Sequence, residues 1–115
     1  MDRPPSGRRR SGASRQRLIA VAVYYRPEAL SDVRRVHAFL TPKTPRTADR
    51  AVRVIRAAIA KLEQFPRAGR IAPDGHPDHR ELLVRFSNGG YVVLYGLDGD
   101  ELVVINIRHQ REGGY

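Results

Sequence analysis

The stretch RELLVRFSNGGYVVLYGLDGDELVVINIRHQR, residues 80–111, decides the fold. It holds three short runs rich in β-branched and apolar residues: Arg80 to Phe86, Tyr91 to Leu97 and Glu101 to Arg108. Ser87-Asn-Gly-Gly90 and Asp98-Gly99-Asp100 separate them. Gly and Asn tolerate the positive φ that tight hairpins demand, so the spacing predicts an antiparallel meander of three strands.

Upstream, residues 67–79 carry Gly69, Pro73, Gly75 and Pro77 and read as a loop. Before them, Ala48, Ala51, Val52, Ile55, Ala58, Ile59 and Leu62 recur at helical spacing on one face. Thr44 is placed to cap that helix, Pro45 suits its first turn, and Phe65-Pro66 is expected to end it. Arg46, Arg50, Arg53 and Arg56 fall mostly on its other side and read as a basic outer face. An earlier helix opens at Pro27 and stops at Pro42, with Ala29, Leu30, Val33, Val36, His37 and Leu40 as its stripe. The short link makes the two helices a hairpin. Leu18 to Tyr25 is apolar, β-branched and short, and reads as a buried strand. The expected fold is therefore α+β, in the order β-α-α-β-β-β. The helical hairpin packs on one face of a small, mainly antiparallel sheet.

Composition narrows the class. The 115 residues fit one domain, and 41% apolar content supports one modest core. Without cysteine there is neither a disulfide framework nor a thiolate metal site, which suits a reducing cytoplasm. No run has the roughly 18 apolar residues of a membrane span. Residues 1–17 hold six arginines against one acid, more than half of the +9 net charge. This stretch is expected to be a disordered basic tail ahead of the domain at 18–115. It reads either as a phosphate-binding arm or as an unselected leader.

Five pieces, in this order and spacing, resemble the RelE/ParE superfamily of type II toxins. They are Tyr25-Arg-Pro-Glu-Ala-Leu-Ser-Asp32, Ala57-Ala-Ile-Ala-Lys-Leu-Glu-Gln-Phe-Pro-Arg-Ala-Gly-Arg70, Arg80-Glu-Leu-Leu-Val84, Gly90-Tyr-Val-Val-Leu-Tyr95 and Val104-Ile-Asn-Ile-Arg-His-Gln-Arg111. The resemblance implies a cytoplasmic toxin neutralised by a cognate antitoxin, with one of two activities. ParE-like members inhibit DNA gyrase by protein–protein contact. RelE-like members are ribosome-dependent endoribonucleases that cut mRNA. A degenerate, non-toxic binding module is the third alternative.

Metal-free RNA cleavage needs a proton acceptor, a proton donor and cations around the pentavalent phosphate. Arg85, His109, Arg111 and Tyr115 are the residues placed for it, arginine as a charge clamp and histidine as the titrating group. Arg85 alternates with Val84 and Phe86 and so belongs to the opposite sheet face, over which the chain end after Arg108 can fold. The plain structural alternatives are a solvated Arg85, a packed His109 and a frayed Tyr115. Ribosome-dependent nucleases resemble Gly-Tyr-Arg-x-x-Tyr in the third strand, where this chain reads Gly90-Tyr91-Val92-Val93-Leu94-Tyr95. Val92 cannot hold a phosphate. The paired lysines of those nucleases likewise have no match in Glu81-Leu82-Leu83-Val84. The departures favour the ParE-like side, with no cofactor expected. His76-Pro-Asp-His79 with Asp74 has zinc-like ligands, but the Pro/Gly-rich segment reads as a polar surface loop.

Overall fold

The computed structural model describes residues 21–42 and 44–110. The expectations for the tail at 1–17, for Leu18 to Ala20, and for Arg111 and Tyr115 lie outside these residues. The element order is β1 (Ala22–Tyr25), α1 (Pro27–Leu40), α2 (Pro45–Lys61), β2 (Arg70–Ile71), β3 (His79–Phe86), β4 (Gly89–Asp98) and β5 (Glu101–His109). The strands form one sheet in the order β1-β5-β4-β3-β2. β1 runs parallel to β5, and the other pairs are antiparallel. The expected α+β arrangement holds, with an extra two-residue edge strand, β2, inside the segment read as a loop.

Both helices begin at proline, whose fixed φ fits the first turn and whose missing N–H costs nothing there. Thr44 occupies the cap position of α2 in extended backbone, but its side chain makes no capping bond. The second helix stops at Lys61, short of Phe65-Pro66. Its end tightens into i→i−3 turns: the N–H of Leu62 bonds Ile59 O at 2.9 Å and that of Glu63 bonds Ala60 O at 3.1 Å. The freed Glu63 carbonyl accepts the N–H of Val21 at 2.9 Å, tying the helix end to the entry of β1.

Both helices cover the same sheet face, α1 over β1 and β5, α2 over β3. The stripe read from the sequence is the buried one: Ala48, Ala51, Ile55, Ile59 and Leu62 meet Val84, Tyr91, Val93, Tyr95, Leu102, Val104 and Ile107. Burial of Ile55, Ile59 and Leu62 contributes about 1.5–3 kcal/mol each. Among the described residues, no helix is long and apolar enough to cross a membrane.

The first hairpin closes differently from the sequence reading. Phe86 pairs with Gly89, so Ser87 and Asn88 are the turn. The positive φ, 57°, falls on Ser87 and not on either glycine. Gly90 is needed for a different reason: a Cβ there would meet Val84 O at 2.5 Å. The second hairpin matches expectation, with Gly99 at φ 59°.

Candidate functional site

Cross-strand register sorts the side chains onto the two faces. Val84 opposes Tyr91, and Tyr91 opposes His109, so all three share the helix-covered face. Arg85 opposes Gly90, Leu83 opposes Val92, and Val92 opposes Arg108, which places this set on the open face. Arg70 and Glu81, directly opposed, join it. The structure thus separates two residues the sequence reading grouped. His109 ends β5 on the helix side, whereas Arg85 is exposed on the open side.

A β-bulge produces the separation. Leu94 pairs with Asn106 but Tyr95 pairs with Val104, leaving one extra residue in β5. Val104 and Ile107, an odd number of residues apart, both sit in the core. The bulge also leaves the Asn106 side-chain oxygen buried with no hydrogen-bond partner among the described residues.

On the open face, Glu81 is the buried charged residue, its side chain 4% exposed. Its Oε1 accepts Arg70 Nε at 3.2 Å and Nη2 at 3.0 Å. Its Oε2 accepts Arg108 Nη2 at 3.3 Å. Arg108 must reach across β4 to do so, and Val92, between Arg108 and Leu83 in register, is buried. Sequence reasoning missed this triad. The alternation of Glu81 with Val84 was a usable signal, but the bulge hid Arg108 from it.

On the helix side, His109 stands edge-on to Tyr91, with ring centroids 5.4 Å apart and planes at 88°. Tyr91 contacts Phe86 at 6.3 Å, and the Arg50 guanidinium lies 4.8 Å from the Phe86 centroid. The Arg56 guanidinium sits 5.6 Å from the Tyr25 ring, whose hydroxyl is pushed above its ordinary value by burial and eased back by Arg56. The basic face of α2 therefore divides. Arg50 and Arg56 reach aromatic rings of the sheet, while Arg46 and Arg53 border an open depression with Thr44, Pro45 and Asp49. His37, at the hairpin seam, bonds Asp49 at 2.7 Å.

The loop before β3 is fastened from within. Asp74 accepts from the His79 ring at 2.7 Å and from the His76 N–H at 2.9 Å, and these bonds hold its carboxyl below the usual range. The two imidazoles stack at 3.8 Å.

Comparison with known proteins agrees with this geometry. Residues 23–113 match the family model of the ParE toxin of type II toxin–antitoxin system, parDE. Toxin RelE3 of Caulobacter vibrioides is 34% identical over 86 residues, covering 75% of this chain and 90% of that protein. Toxin RelE1 of the same organism is 32% identical over 84 residues, covering 73% and 87%. Among solved structures, the chromosomal ParDE system from P. aeruginosa superimposes with a TM-score of 0.66 at 19% identity, over 78% of this chain and 96% of that one. The toxin–antitoxin complex RelBE2 from Mycobacterium tuberculosis gives 0.56 at 18% identity, over 84% and 98%. At such identities the structural likeness speaks for the fold; with the family match and the 34% relative, it follows that the chain belongs to the ParE toxin family, within the RelE/ParE superfamily of type II toxin–antitoxin toxins.

Proposed function

We propose that the protein is the toxin of a type II pair, ParE-like in action, inhibiting DNA gyrase by protein–protein contact and held inactive by a cognate antitoxin. The carrying observation is the division of Arg85 and His109 between opposite sheet faces. A phosphoryl-transfer site needs its cations and its proton-transfer group within reach of one phosphate. Buried Val92, standing where the nuclease pattern has an arginine, supports the same reading. The exposed arginines Arg46 and Arg53 suit an acidic antitoxin segment by charge.

A second reading, an mRNA endoribonuclease working in the cytoplasm with Arg85, His109, Arg111 and Tyr115, is favoured by the names of the two Caulobacter relatives. Induction in cells with and without the adjacent gene separates the two. Under the first reading, growth stops, the neighbour restores it, and His109→Ala with Arg111→Ala still arrests growth. Under the second, that double substitution abolishes arrest and the cutting of messages within codons. An absence of arrest leaves a degenerate binding module.

A further inference from the structure

Glu81 holds a position that general chemistry would assign to a ligand. Three arginines, Arg70, Arg85 and Arg108, share the open sheet face, and guanidinium forks suit phosphate oxygens. Yet two of the three converge on one carboxylate that belongs to the protein itself. That carboxylate is buried, and a buried charge persists only when it is paired and hydrogen-bonded. Asp98 and Glu101, opposed to each other at the far end of β4 and β5, add acid to the sheet. The face therefore combines the cations of a nucleic-acid platform with an internal anion seated among them.

We infer that Glu81 is a specificity device: an internal counter-anion that occupies Arg70 and Arg108 and so keeps the open sheet face from binding nucleic-acid backbones. It acts through the two arginines, as a positioning residue, by a repulsive and competing element of the kind specific surfaces use against wrong partners. A strand of RNA approaching this face would have to displace Glu81 from both guanidiniums and leave a buried carboxylate unpaired. The inference goes beyond the gyrase reading and stands whichever target the toxin has.

The test uses the full chain and a fluorescently labelled single-stranded RNA, with binding followed by anisotropy at several salt concentrations. Glu81→Gln is expected to bind about tenfold tighter than wild type at low salt, because two guanidiniums are released to phosphates. Its log K against log salt slope should steepen by about 1.4, two contacts at about 0.7 each. Adding Arg108→Ala to Glu81→Gln should return about half of that slope. Equal affinity and equal slope for wild type and a folded Glu81→Gln overturn the proposal. If Glu81→Gln does not fold, Arg70→Ala decides, since Arg70 is largely exposed and leaves Arg108 on Glu81. Unchanged affinity and slope are expected there, and a loss of about threefold or more shows Arg70 already binding RNA and overturns it.

Discussion

Asp32 on α1 accepts the backbone N–H of Ile107 on β5 at 2.8 Å, across 75 residues of chain. One turn on, Arg35 donates to the carbonyl of the same Ile107 at 3.0 Å. Two side chains thus satisfy both backbone groups of one strand residue. The location explains the need: β1 pairs with β5 only as far as Val104, so the rest of that edge would otherwise present open donors and acceptors. The helix closes the sheet edge where the strand ends.

Asp32→Ala should therefore lower stability by about 1–3 kcal/mol, the cost of a part-buried donor left without its partner. Urea unfolding should show a lower midpoint at unchanged slope. Light scattering should show concentration-dependent association through the opened edge.

Tyr95 is fully buried, donates its hydroxyl to Pro66 O at 2.8 Å and accepts the N–H of Gly69 at 2.9 Å. Tyr95→Phe should cost about 1–3 kcal/mol and loosen the 66–69 segment. The phenol is also pushed above its ordinary value near 10, chiefly by burial, with the Gly69 bond and Arg80 and Arg67 opposing. A raised folded value means the native state holds the proton more tightly. Its stabilisation is complete below pH 10 and is lost as pH rises through the folded value. Thermal melts between neutral and strongly alkaline pH should fall less steeply for Tyr95→Phe than for wild type. Tyr25, raised in the same direction, supplies the remaining slope.

The hairpin at residues 86–90 predicts opposite signs for two neighbouring substitutions. Ser87 sits at φ 57°, which costs a non-glycine residue about 1–2 kcal/mol, so Ser87→Gly should stabilise by about 0.5–1 kcal/mol after its own entropy cost. Gly90→Ala should destabilise by about 1–3 kcal/mol through the Cβ contact with Val84 O at 2.5 Å. Denaturant midpoints of the two variants check both signs.

Much of the fold was legible because it rests on periodicity and proline. The stripe from Ala48 to Leu62 and the openings at Pro27 and Pro45 are local signals, and the structure keeps them. What was not legible depends on partners distant in sequence. β2 is two residues, Arg70 and Ile71, held by register with Glu81 and Arg80, and no local propensity announces it. The end of α2 was overestimated because Glu63 gives its carbonyl to Val21 instead of to a further helical turn. The functional surface suffered most from the bulge. Counting by twos from Val104 places His109 with Arg85, while the extra residue turns Ile107 and His109 inward and brings Arg108 out. One inserted position thereby exchanged the two basic residues between faces.

The most direct test of the central claim, that this toxin works by docking and not by cutting, is supercoiling of relaxed plasmid by purified gyrase with the protein titrated in. The account predicts inhibition at micromolar or lower concentration, reversed by the product of the adjacent gene and retained by His109→Ala with Arg111→Ala. Undiminished supercoiling at full excess, from protein that arrests growth and cleaves translating messages, would contradict it.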